Sequence, residues 1–203
     1  MKIAHVTIMV VLCVVVLCGS VHAKEKSTYG MRLGVNFATI DGDVEEYVGN
    51  PSTRNCLSFG GFACMHQAGN LYLQPELLYA SKGATAAVSN SSDVTLELTY
   101  IEIPFLVKYK FRNHQKIGFN LAAGPAIDLL MSAEIGSSDV KSNTTKFDGT
   151  IIGSAEFTIA SGTGYFVFEG RYLYGLSTID DTSYDLNVKN RVFSISIGYA
   201  FGG

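Results

Sequence analysis

Apolar residues recur at every second position through eight separate runs of this chain, and none of the eight apolar sets contains Lys, Arg, Asp, Glu or His. A period of two is the signature of a β-strand whose faces meet different surroundings. The first run sets Met31, Leu33, Val35 and Phe37 against Arg32, Gly34 and Asn36, and the second sets Leu57, Phe59, Ala63 and Met65 against Ser58, Gly60, Cys64 and His66, with Phe62 out of pattern. In the third, Leu71, Leu73, Leu77 and Tyr79 oppose Tyr72, Gln74 and Glu76; in the fourth, Ile101 to Phe111 alternate with Glu102, Lys108 and Lys110. The remaining four oppose Ile117, Phe119, Leu121, Ile127 and Leu129 to Asn120 and Asp128; Ile151, Ala155, Phe157 and Ile159 to Ser154 and Glu156; Phe166, Phe168, Tyr172 and Tyr174 to Glu169 and Arg171; and Phe193, Ile195, Ile197, Tyr199 and Phe201 to serines, Gly198 and Ala200. Leu96 and Leu98 have the parity opposite to the fourth run, so a β-bulge near Thr99 and Tyr100 is expected there.

The connections alternate as regularly as the residues. Asp41 to Asn55, Lys82 to Asp93, Glu134 to Phe147 and Ser177 to Lys189 are long, whereas Gln67 to Asn70, Arg112 to Lys116 and Ala160 to Gly164 are short. Long loops on one side and tight turns on the other are the layout of an all-β, eight-stranded antiparallel up-and-down transmembrane β-barrel. A soluble periplasmic barrel of the lipocalin kind, binding a hydrophobic ligand, is the rival arrangement and would turn the apolar face inward. Lipid explains the clean apolar sets better, because a Lys or Arg at the bilayer midplane costs about 2–4 kcal/mol.

The chain start fits an exported protein. Lys2, the apolar run Val6 to Cys18 and the small-x-small stretch Val21-His22-Ala23 read as a signal peptide, residues 1–23, cleaved to leave a single domain, 24–203. Cys18 is a poor lipoprotein cysteine because Leu17 stands where a small residue is expected. Removing Lys2 from the fifteen Lys and Arg leaves fourteen against eighteen acids, a net charge of −4 that offers nothing to nucleic acid. Cys56 and Cys64 lie eight residues apart on one run, roughly 26 Å if extended, too far for a disulfide, and read as small fillers.

An eight-stranded barrel has an interior just wide enough for side chains to fill. The inward charges Arg32, Glu76, Glu102, Lys108, Lys110, Asp128, Glu156, Glu169 and Arg171 are therefore expected to neutralise one another as a structural network and not to line a channel. No catalytic, cofactor or metal site is expected. His66 falls near the short-turn end of its strand and His114 within a short turn, so neither is placed as a general base at the outer rim. Asp41, Asp43, Glu45 and Glu46 of the first long loop read as solvated acids in preference to a calcium site, and the sequons at Asn90 and Asn143 as bare in a bacterial barrel. Pro75, Pro104 and Pro125 sit within consecutive strands, where bulges or a strained patch of wall are expected.

Several segments resemble the PorT-like outer membrane β-barrel family: Leu73-Gln74-Pro75-Glu76-Leu77-Leu78-Tyr79, Tyr100-Ile101-Glu102-Ile103-Pro104, Ala123-Gly124-Pro125 and Asn190-Arg191-Val192-Phe193. The resemblance spans the mature chain and implies an eight-stranded barrel in the outer membrane; the namesake is associated with secretion across that membrane, a role that barrel motifs alone do not carry over. A small integral membrane protein with a surface, envelope or secretion-associated role is expected. The last run, Phe193, Ile195, Ile197, Tyr199 and Phe201, resembles the C-terminal signal read by the barrel assembly machinery. The expected partners are thus outer-membrane lipid, that machinery during biogenesis, and secretion or surface proteins met through the loops; the barrel itself is expected to be a monomer.

Overall fold

The computed structural model describes residues 27–42, 51–86, 94–111, 116–180 and 187–202. The signal segment, His114, Asp43, Glu45, Glu46 and Asn90 lie outside them.

Eight long strands form one antiparallel sheet: β1 (Thr28–Gly42), β2 (Ser52–Ala68), β3 (Leu71–Ala86), β4 (Val94–Lys110), β5 (Ile117–Ile135), β7 (Phe147–Ser161), β8 (Gly164–Gly175) and β9 (Val188–Phe201). A two-residue strand β6 (Ser138–Asp139) folds back on the end of β5. Each long strand pairs with its neighbour in sequence, and β1 pairs with β9 over fourteen residues from Tyr29↔Phe201 to Gly42↔Val188, which closes the barrel and leaves no edge. The short turns at Gly69, Gly136 and Gly162 use positive φ of 56°, 61° and 60°, a conformation glycine adopts without steric cost.

The alternation resolves as lipid outside and a packed interior. Leu33, Leu57, Leu77, Val107, Leu121, Ile151, Phe168 and Ile195 are exposed on the outer wall, one on each long strand. A continuous apolar belt of this size is foreign to a soluble monomer, and the lipocalin-like arrangement is set aside by it. Tyr29, Tyr109, Phe111, Phe119, Phe166 and Phe201 cluster at the short-turn rim, with Tyr109–Phe111 and Tyr199–Phe201 in edge contact at 4.9 Å. Aromatic girdles of this kind sit at membrane interfaces. A crossing needs about 9–11 tilted residues, so the nineteen-residue β5 and seventeen-residue β2 and β4 rise past the belt. There the outward residues turn polar, at Thr53, Asn55, Glu97 and Glu134.

Two expectations change. Leu98 and Tyr100 point inward in phase with Glu102, so β4 does not switch faces. The register does slip at Thr99/Tyr100, but the extra residue is Met131 on the partner strand, since Thr99 faces Ser132 and Tyr100 faces Leu130. The three prolines do not sit in bulges either: pairing is interrupted beside each and resumes in unchanged register.

Candidate functional site: the charged lumen and its apolar cap

Inward-facing side chains fill the barrel in layers. At the short-turn end, Phe62 packs with Val167 and Ala200. This residue broke the sequence pattern because it is a ring on the lumenal face, and Gly30 opposite leaves it room, as a Cβ there would lie 2.3 Å from its Cζ. Arg32 stacks 4.7 Å from the same ring. Mid-barrel, Ala38, Cys56, Leu106, Ala122, Ala126, Ile152, Leu173 and Val192 form an apolar layer. At the long-loop end Ile40, Ala84, Leu98, Tyr100, Leu130, Ala133, Ile179 and Val188 form a lid, with Leu96 and Val140 packed on it. Ile179 reaches this lid from the segment after β8. It is held by Ile179 N–H to Val188 O at 2.8 Å and by Thr145 N–H to Ile179 O at 2.9 Å, which straps the β5–β7 and β8–β9 connections together.

Between these layers lie ten buried charges, in two groups. In the first, Glu76 of β3 accepts from Arg171 of β8 at 3.0 Å and pairs with Arg32 of β1 at 3.3 Å. Glu169 pairs with both of the same guanidiniums, at 2.9 Å to Arg171 and in a close contact with Arg32. Gln74 donates to Glu76 at 2.6 Å. Beside them Lys108 pairs with Glu156 at 2.7 Å, and Asn120 donates to the other oxygen of that carboxylate at 2.7 Å. Three cations face three anions; apart from Glu169 and Arg171, which are neighbours on β8, the pairs cross the barrel between strands that are not adjacent.

The second group is arranged otherwise. Glu102, Asp128 and Asp148 are direct cross-strand partners on β4, β5 and β7. One ammonium, Lys82, pairs with the first two, 3.0 Å from Glu102 and 2.6 Å from Asp128. Thr150 donates to Asp128 at 2.8 Å and Asn190 to Asp148 at 3.0 Å.

Of the nine charges expected in the lumen, eight are buried there. Lys110 is placed apart from the network, half-exposed at the short-turn mouth with its ammonium 3.8 Å from the centre of the Tyr72 ring. Lys82 and Asp148 were missed because they sit where a strand seemed to have given way to loop. Extending the even-numbered parity of Glu76 and Glu156 by three or four further steps would have found both.

The remaining candidates resolve as follows. His66 meets Gly69 O through Nε2 at 3.0 Å and Tyr72 edge-on at 5.1 Å. Asp41 pairs with Arg191 at 3.1 Å. Asn143 lies in a 3-10 turn, Lys141–Asn143, and accepts from Ser142 Oγ at 2.9 Å. Cys56 and Cys64 are free, buried thiols. Phe193, Ile195, Ile197 and Phe201 are exposed on the outer face of β9, while Tyr199 donates to Ser161 O at 2.8 Å. A cavity of about 10 Å³ remains between Arg32, Asn36, Ser58, Glu102, Arg171 and Ser194, space for a single water at most.

This architecture is shared with known barrels. The chain is 16% identical to Neisserial surface protein A, with a TM-score of 0.55 over 88% of this chain and all of that one. It is 11% identical to the outer membrane protein OprG from Pseudomonas aeruginosa, with a TM-score of 0.52 over 87% and 95%. At such identities the likeness is one of fold. No curated protein matches the sequence. The family model for the outer membrane protein beta-barrel domain matches residues 22–181, most of the chain, and includes seven of the eight long strands. The lipid-facing wall and the filled lumen therefore have a family to go with their geometry: this chain belongs to the outer membrane β-barrel domain proteins.

Proposed function

We propose that the protein is a non-catalytic, monomeric anchor that holds its long loops at the cell surface, in an envelope or secretion-associated role of the PorT-like kind. The observation that carries this reading is the filled lumen. Apolar layers stand above, between and below the charges, and the described interior offers no continuous passage. A pore needs a wet polar path; a barrel packed like a protein core makes a rigid pedestal. Among the described residues, the buried cations Arg32, Lys82, Lys108 and Arg171 are each paired with carboxylates inside the barrel.

The same reading places the protein in the outer membrane after removal of residues 1–23. The aromatic-ended β9 serves as its assembly signal, and it meets secretion or surface proteins through the loops. Reconstitution in planar bilayers tests the closed lumen: the expected result is no unitary conductance at 100 mV. Stable single-channel steps would refute the pedestal reading. Cross-linking from intact cells, followed by identification of what is joined to the long loops, tests the surface role. Adducts confined to periplasmic proteins would refute it.

A further inference from the structure

Proline has no N–H to contribute to a ladder, so in sheets it is confined to edges, ends and bulges. A closed barrel has no edge, yet Pro75, Pro104 and Pro125 stand inside β3, β4 and β5. Their registers show what each does. Between β2 and β3 the pairing runs to Phe62↔Glu76 and resumes at Met65↔Leu73, omitting Ala63 opposite Pro75. Between β3 and β4 it runs from Pro75↔Phe105 to Leu78↔Glu102, omitting Glu76 opposite Pro104. Between β4 and β5 it runs from Pro104↔Ala126 to Val107↔Ala123, omitting Phe105 opposite Pro125. Three consecutive seams are thus broken in a row that crosses the strands at one level. By contrast β1–β9, β8–β9, β7–β8, β5–β7 and β1–β2 pair without a gap.

The row lies within the lipid belt, where Leu77 and Val107 face outward. On its inner side stands Glu76, which Arg32 and Arg171 grip from β1 and β8, strands of the unbroken half. We propose that the proline row is a yield line along which the β2–β5 wall parts or bows, latched shut from across the lumen by Glu76. Each of these seams lacks, at that level, the ladder hydrogen bond that its proline has no N–H to donate. Two guanidiniums reaching across the barrel take its place, and they are side-chain contacts that a single substitution releases.

Hydrogen exchange by mass spectrometry on the full barrel in lipid nanodiscs tests both halves of the proposal. In the wild type, amides at 63–64, 76–77 and 105–106 are expected to exchange at least tenfold faster than those at 33–35, 170–172 and 194–196. In Glu76→Gln the row is expected to accelerate a further threefold or more, with the unbroken half unchanged. Equal wild-type rates in the two halves would overturn the yield line without recourse to any variant. A fast row that Glu76→Gln leaves alone, or a variant that accelerates both halves alike, would overturn the latch. Should Glu76→Gln fail to fold, Arg171→Lys, which keeps the charge and loses the bidentate grip, is read in the same way.

Discussion

The two charged groups of the lumen use the same residue types in opposite arrangements. Around Glu76 and Glu156, each carboxylate is matched by a cation, and Glu76 and Glu169 share two guanidiniums between them. Around Asp128, three carboxylates stand on adjacent strands, and the single ammonium of Lys82 pairs with Glu102 and Asp128. The Glu76–Glu169 part of the first group spans the lumen and is redundant; the second group runs along the wall and has one keystone. Burial makes the difference matter, because a buried charge left without its partner is costly while a second partner blunts the loss.

The largest effect is therefore expected from Lys82→Met. The methionine fills similar space and leaves Glu102 and Asp128 facing each other with no cation, a loss of about 3–5 kcal/mol. Urea unfolding in detergent micelles, followed by the mobility shift between folded and heat-denatured bands, measures it. Arg32→Met is expected to cost less, about 1.5–3 kcal/mol, the range of a charge-assisted hydrogen bond, since Arg171 still engages both Glu76 and Glu169. Equal costs for the two variants would erase the distinction between keystone and redundant network. Glu76→Ala sharpens it from the other side. It leaves Arg32 and Arg171 with Glu169 as their remaining common carboxylate, and should lower the gel-shift temperature more than Arg32→Met does.

Much of this was legible in the sequence, and the exceptions follow a rule. The outer wall was readable because lipid tolerates one chemistry, so the alternating sets that hold Leu33, Leu77 and Ile195 are apolar and contain no charged residue. The lumen was readable only where it is charged. Leu98, Tyr100, Leu130 and Ile152 are as apolar as any lipid-facing residue, and a narrow dry interior accepts them equally well. Alternation alone cannot separate the two environments for such side chains, and a change of face in β4 was inferred where the extra residue belongs to β5. Lys82 and Asp148 were lost for a related reason: strands that rise past the membrane continue into stretches whose composition reads as loop. Lys110 was misplaced in the opposite sense, since parity says which way a residue points but not where the interior ends.

That boundary yields a smaller prediction. Lys110 lies over the Tyr72 ring at the open mouth and engages no lumenal carboxylate. Lys110→Gln should cost about 0.5–1 kcal/mol, the worth of a partly exposed cation–π contact, read by the same urea unfolding. A loss comparable to that of Lys82→Met would put Lys110 back among the buried charges.

The smallest effect is expected outside the lumen, at Arg54 and Glu97, whose 2.6 Å ion pair stands above the lipid belt with the Glu97 side chain half exposed. Exposed pairs couple by about 0.2–1 kcal/mol. The arginine does more than pair, because it also donates to Lys82 O at 3.0 Å and to Cys56 Sγ at 3.2 Å. Arg54→Ala should therefore cost more than Glu97→Ala, and a double-mutant cycle is needed to isolate the charge pair from the backbone contact. Salt separates the two environments: the Arg54–Glu97 coupling should weaken between 0.1 and 1 M sodium chloride, as the Debye length falls from about 10 Å to about 3 Å. The cost of Lys82→Met should stay unchanged over that range, since the lid of Ile40, Leu98, Leu130, Ile179 and Val188 stands between that ammonium and the solution.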